Sequence, residues 1–205
     1  MRNLNFWNRK LHIHLGLFLL LFIWLFSISG LLLNHGSWEF ASFWEQRKQK
    51  ESVTEMTLPA GLDSAGLLHI VMGKLKISGE VTNVKYSADA FDFRVGSPGV
   101  GRDLHVDLRS GTVSQKEYEL NIWGKIRTLH TFNGVDKGNI DKQANWVITR
   151  VWRFAMDGIA VALIFLCVSS WIMWYKIRKD YKWSAAILIS GFLTSIYFVY
   201  LIKVF

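Results

Sequence analysis

Three uncharged apolar runs, Leu15–Leu33, Gly158–Tyr175 and Trp183–Ile202, constrain this 205-residue chain more than any other feature. Each is roughly 18–20 residues long, enough for an α-helix rising 1.5 Å per residue to cross a hydrocarbon layer. Lipid offers backbone polar groups no partner, so a run of this length reads as a spanning helix that satisfies its own N–H and C=O groups. A mean hydropathy of +0.20 and an apolar content of 51% agree. The first run follows Arg2, Arg9 and Lys10, as a signal peptide's would. Its apolar core is longer than a signal core of 7–15 residues and no small-x-small site follows, so an uncleaved anchor is expected. Cys167, the single cysteine, excludes an internal disulfide and reads as packing.

Charge sets the expected orientation. Arg2, Arg9 and Lys10 precede the first run, and Lys176, Arg178, Lys179 and Lys182 lie between the second and third. Both clusters are expected on the cytoplasmic side. The expected order is a cytoplasmic N-terminus (1–10), a first span (11–33), an extracytoplasmic segment (34–143), an interfacial helix with the second span (144–177), a cytoplasmic loop (178–182), a third span (183–202) and an extracytoplasmic tail (203–205). Trp7, Trp38, Trp44, Trp146, Trp152 and Trp183 flank the runs and suit interfacial belts. The net charge of +8 does not indicate nucleic acid, because the basic residues are spread along the chain with no aromatic-basic motif. Membrane lipid is the expected partner.

The outer segment reads as a small α+β domain. Leu67, Leu68, Ile70, Val71 and Leu75 mark a helix over Leu62–Ile77, with Gly79 as its stop. Strands are expected at Glu80–Tyr86, Ala90–Val95 and Leu104–Leu108, with a turn at Gly96-Ser97-Pro98-Gly99. A second turn at Arg109-Ser110-Gly111-Thr112 precedes a short strand at Val113. The fold class is therefore an α+β membrane protein with three transmembrane helices and this domain between the first two. No Ser-His-Asp, Cys-His or His-Glu-x-x-His set, phosphate loop or dinucleotide fingerprint is present. No catalytic residues are assigned, and His69 and His105 read as structural.

Several short motifs, in order, resemble the PepSY-associated transmembrane family. They are Arg9-Lys10-Leu11-His12-Ile13-His14-Leu15-Gly16-Leu17, Ser27-Ile28-Ser29-Gly30-Leu31-Leu32-Leu33-Asn34-His35, and Val106-Asp107-Leu108-Arg109-Ser110-Gly111-Thr112-Val113. Leu129-His130-Thr131, Asp157-Gly158-Ile159 and Trp171-Ile172-Met173-Trp174-Tyr175-Lys176 complete them. They cover most of residues 9–180 and place a PepSY-like domain at about 51–120. Phe132 stands where the family usually has glycine, and the second repeat and fourth span of larger relatives are absent. Those relatives include inner-membrane reductases of siderophore-bound iron that carry haem on transmembrane histidines. The resemblance therefore implies a bacterial inner membrane, a haem b and a link to iron.

A haem with two imidazole ligands needs histidines from different helices at one depth. His35 closes the first run and His130 lies upstream of the second, so the pair is expected at corresponding depths on one side. Arg127, Arg150 and Arg153 lie at that level and suit propionate carboxylates, although Asp157, four residues on, offers Arg153 an alternative partner. His12 and His14 stand at the opposite end without a histidine partner in either later span. Their angular positions differ by about 200°. His14 matches His35 by helical phase, while His12 matches the family's Lys-Leu-His entry. A haem there would need a partner subunit or a ligand such as Met173. Two functions follow from this reading. One is electron transfer from a quinol or redox partner to an extracytoplasmic acceptor such as a ferric siderophore. The other is a non-catalytic accessory subunit within a membrane complex or homo-oligomer, docking through the PepSY-like domain and helices.

Overall fold

The computed structural model describes residues 2–59, 61–133, 145–177 and 181–204. Among these the chain is α+β, with five α-helices and a five-stranded antiparallel sheet. Three helices are long and apolar enough to cross a membrane: α1 (Arg2–Asn34), α4 (Val147–Ile177) and α5 (Tyr181–Val204). The expected interfacial helix is no separate element, because α4 is continuous from Val147. Of the expected loop 178–182, residues 178–180 lie outside the described residues, as do 134–143 of the outer segment. The chain divides into two compact units, Met1–Phe18 with Ala160–Phe205, and Leu19–Ile159.

The first unit holds the start of α1, the end of α4 and α5. Asn8 and Ser169 clasp each other there: Ser169 Oγ donates to Asn8 Oδ1 at 3.1 Å, and Asn8 Nδ2 to the Ser169 carbonyl at 3.4 Å. Small and polar residues let apolar helices approach and give them a hydrogen bond that lipid cannot supply. Helix α5 is exposed along almost its whole length, as expected of a helix whose apolar surface suits lipid on every face.

The second unit contains the sheet. Strand β1 (Lys48–Glu55) precedes α2 (Ser64–Leu75). Strands β2 (Glu80–Tyr86), β3 (Ala90–Ser97), β4 (Val100–Asp107) and β5 (Thr112–Glu119) then form a meander. The strand order is β1-β5-β4-β3-β2. Leu67 and Val71 of α2 close one face of the sheet over Val81, Phe91, Phe93, Val95, Leu104, Val106 and Val113. The alternation of these residues with polar ones is what sends one face inward. Asp63 caps α2 by accepting the Gly66 N–H at 2.8 Å. The helix stops at Lys76, which takes the left-handed conformation with φ 53°. Gly79, expected to be the stop, instead passes close to Gly96 in the sheet: a Cβ there would lie 2.7 Å from the Gly96 carbonyl oxygen.

Three strands exceed what alternation suggested: β3 continues through Gly96 and Ser97, which were expected in the turn. β5 runs to Glu119 rather than ending near Val113, and β4 begins at Val100 rather than Leu104. β1 was not expected at all, since Val53 is its one apolar residue. It forms by pairing with β5 from Lys48↔Glu119 to Glu55↔Thr112. At the β3–β4 turn, Gly99 has φ +78°, and a Cβ there would lie 3.1 Å from Lys125 Cα. The missing side chain lets the next helix, α3 (Ile122–Thr131), pack directly on the turn.

Candidate functional site: a histidine rim where α3 meets α1

Helix α3 is built by local capping. Asn121 Oδ1 accepts the Gly124 N–H at 2.9 Å, and Asn121 Nδ2 donates to the Ser42 carbonyl and to Gln46 Oε1. Gly124 is buried because Phe43 and Leu120 occupy the space a side chain would need. These contacts hold α3 beside the end of α1. Arg127 lies against Gly36, where a Cβ would sit 2.8 Å from the guanidinium, and His130 lies against Gly30, its Cε1 3.7 Å from a Cβ there. His130 thus belongs to a short separate helix, not to the second apolar run.

His130 is the most firmly held imidazole. Its Nδ1 is 2.6 Å from Ser29 Oγ, and Ser29 Oγ is 3.1 Å from the Phe26 carbonyl oxygen. With the hydroxyl proton on the Phe26 carbonyl, Ser29 accepts from Nδ1 and the Nε2 lone pair is the coordinating position; with that proton given to Nδ1, the ring proton sits on Nε2 instead. Ser29 is 1% exposed, so water does not compete for the bond. Phe26 meets the ring edge-on at 5.2 Å, and Trp152 of α4 packs on Phe26 at 6.4 Å. Sequence reasoning missed Ser29; the available signal was a small polar residue inside an apolar run, which must find a partner.

His35 sits just past α1. Its Nδ1 donates to the Leu31 carbonyl at 3.0 Å, which leaves Nε2 free. The ring stacks on Trp38 at 4.3 Å, Trp38 on Phe40 at 5.4 Å, and Phe40 meets Trp123 of α3 at 5.4 Å. His35 and His130 hold separate partners and do not stand at the corresponding depths expected of them: His130 lies against Ser29 and Gly30, and His35 lies past the end of α1. Along an ideal helix, Ser29 and His35 are about 9 Å apart in height and about 120° apart in direction. Arg127 caps the region with its guanidinium over Phe43 at 4.8 Å. Arg150 and Arg153 are exposed on α4. The ion pairs among the described residues lie in the sheet and on Lys125 of α3, so Arg153 and Asp157 do not pair.

In the other unit, His12 is half-buried, with an Nδ1 that has no partner, while His14 is exposed and bonds the Lys10 carbonyl at 2.7 Å. The inward residue is thus His12, not His14. Phase against His35 misled because His35 stands beyond the helix and is itself exposed. Among the described residues no three His, Cys, Asp or Glu side chains gather as a metal cage. Two imidazoles, which suffice for a haem, fall below that number.

A second feature holds α4 to the sheet. Glu80 is 3% exposed, and its carboxylate accepts the Asn145 N–H at 2.7 Å and the Trp146 N–H at 3.1 Å. Asn145 in turn bonds both the N–H and the carbonyl of Val81, at 2.9 and 2.8 Å. Its amide acts as a one-residue strand on the free edge of β2, and Glu80 places negative charge at the start of α4, where the helix dipole favours it. No family model, curated protein or solved structure matches the chain.

Proposed function

We propose that the chain is a membrane-embedded electron carrier of the PepSY-associated kind, holding a haem b at the rim of α1 and α3. The observation that carries this reading is the Ser29–His130 pair, a buried hydroxyl 2.6 Å from Nδ1 that orients the imidazole. Metal-bound histidines commonly donate the other ring N–H to a fixed acceptor, which orients the ring and raises its basicity. In this reading His35, whose Nε2 is left free through Leu31, is the second ligand, which requires the segment after α1 to bring its ring to the depth of His130. Arg127 is the residue to pair with a propionate. Bound haem would supply one-electron chemistry; the chain orients the two imidazoles and shields one side with Phe26. Electrons would come from a quinol or a partner subunit and leave to an extracytoplasmic acceptor, with ferric chelates the class the resemblance suggests. The basic clusters at residues 2–10 and 176–182 support a cytoplasmic N-terminus with the sheet domain outside an inner membrane.

The test is a reduced-minus-oxidised absorption spectrum of protein purified in detergent from haem-replete cells. An α-band present in the native chain and absent in His130→Ala and His35→Ala supports the reading. Folded, colourless native protein overturns it. In that case the accessory reading stands, supported by the open polar face of the sheet. There Lys85, Asp92 and His105 form one row across the strands, and Arg94, Asp103, Lys116 and Glu51 another, around a shallow cavity of about 700 Å³. Affinity isolation in mild detergent would then recover a stoichiometric partner without haem.

A further inference from the structure

We infer that the end of the α1–α4 pair carrying Arg9 and Lys176 is a binding site for the phosphate of an anionic phospholipid. A cavity of about 300 Å³ opens there, lined by Asn5, Phe6, Asn8 and Arg9 of α1 and by Ile172, Met173 and Lys176 of α4. Its lining combines two cations and two amides with apolar side chains. Lys176 Nζ donates to Asn5 Oδ1, which draws the ammonium to the cavity and leaves its other protons for a ligand. Asn8 is fixed by its clasp with Ser169, so its turn of α1 is held in place.

Among the described residues neither cation is in an ion pair. The sequence of this unit, residues 1–18 and 160–205, contains one acidic residue, Asp180, against the basic cluster of Arg2, Arg9, Lys10, Lys176, Arg178, Lys179 and Lys182. One acidic side chain against that cluster leaves the unit strongly basic, which suits an anion supplied from outside it. Two charges beside Ile172 and Met173 match a phosphodiester whose glycerol and acyl carbons continue along the apolar side chains; a free anion gains nothing from them. Trp7, 62% exposed and carrying Lys10 over its ring at 5.4 Å, puts an amphipathic ring on the neighbouring surface, as at a headgroup boundary. Basic pockets between spanning helices are suited to anionic headgroups. This inference does not depend on the haem reading.

Full-length protein in dodecyl maltoside would be titrated with phosphatidylglycerol or phosphatidylcholine in mixed micelles, with retained lipid counted by native mass spectrometry. Phosphatidylglycerol should be retained in preference to phosphatidylcholine. Each charge removed, in Arg9→Gln or Lys176→Gln, should weaken it about fivefold, and both together about thirtyfold. The charge-keeping pair Arg9→Lys with Lys176→Arg should retain it and reports on folding, and Lys203→Gln near the other end of α5 should leave it unchanged. Equal retention of the two lipids, or full retention by the doubly neutralised protein, overturns the inference. Displacement by inorganic phosphate at equal concentration also overturns it, because the ligand is then a free anion. If the double variant fails to fold, the single variants and the native lipid preference decide.

Discussion

Ser29, buried inside α1, supplies the hydrogen-bond partner of a half-buried imidazole. Replacing it with alanine leaves the His130 Nδ1 without that partner, a loss of about 1–3 kcal/mol that thermal unfolding in detergent will register. With haem bound, the same change should raise the midpoint potential, since a ligand without its hydrogen bond is less basic and stabilises the oxidised iron less. Asp107 is a second residue with a defined job. Its carboxylate accepts the backbone N–H groups of Ser110 and Arg109 at the β4–β5 turn, and these bonds hold its pKa below the ordinary aspartate value. The unfolded chain therefore takes up this proton at higher pH than the folded one. The turn's contribution is complete above the ordinary value of about 4 and is lost as pH falls from there toward the folded pKa. Melting curves from pH 6 to pH 3 should fall more steeply for the native chain than for Asp107→Asn, which still accepts a hydrogen bond but no longer titrates. Glu51 and Glu119 add to the same acid sensitivity. Their pKa values are lowered by Lys116 and Lys125 respectively, although both ion pairs lie at the surface and are weakened by solvent screening.

Among the elements, β1 and α4 show how much local structure depends on distant partners. β1 has almost no apolar pattern. It is held by β5, with Lys116 bridging to Glu51 at 3.0 Å, and its charged, exposed side chains discourage pairing with other edges. The start of α4 is held by Glu80, which lies 65 residues before Asn145. Glu80→Ala leaves the Asn145 and Trp146 N–H groups without their acceptor. It should cost about 1–3 kcal/mol for each group that stays buried and speed amide exchange at residues 145 and 146, while β4 and β5 keep their protection. Uniform loss of protection across the sheet would show instead that Glu80 serves the core rather than the start of the helix. Gly99 and Gly124 serve α3 in a similar way, by removing side chains where the helix must touch the turn and Phe43.

For the whole molecule, the proposed orientation has a direct check. The single cysteine permits a Cys167→Ser background in which Ser87→Cys, on the exposed turn after β2, is the sole thiol. A membrane-impermeant maleimide should label it in intact spheroplasts, and a cysteine at Lys182 only after lysis. The reverse pattern would invert the proposed orientation. This experiment is independent of haem and of lipid, so it separates the arrangement of the chain from its chemistry.

The sequence by itself determined the three apolar helices, the α2 amphipathic stripe and the meander from β2 to β5, because each rests on a pattern within one short segment. Length settles a spanning helix, and alternation settles a strand with one buried face. It also picked out His35 and His130. It did not disclose β1, whose residues carry no pattern of their own, or the full length of β5. Only the tertiary structure decided that Ser29 holds His130, that His12 rather than His14 turns inward, and that Glu80 and Asn145 join the sheet to α4. Those facts depend on pairs such as Ser29 with His130, 101 residues apart, and no local periodicity encodes a hydrogen bond across such a distance.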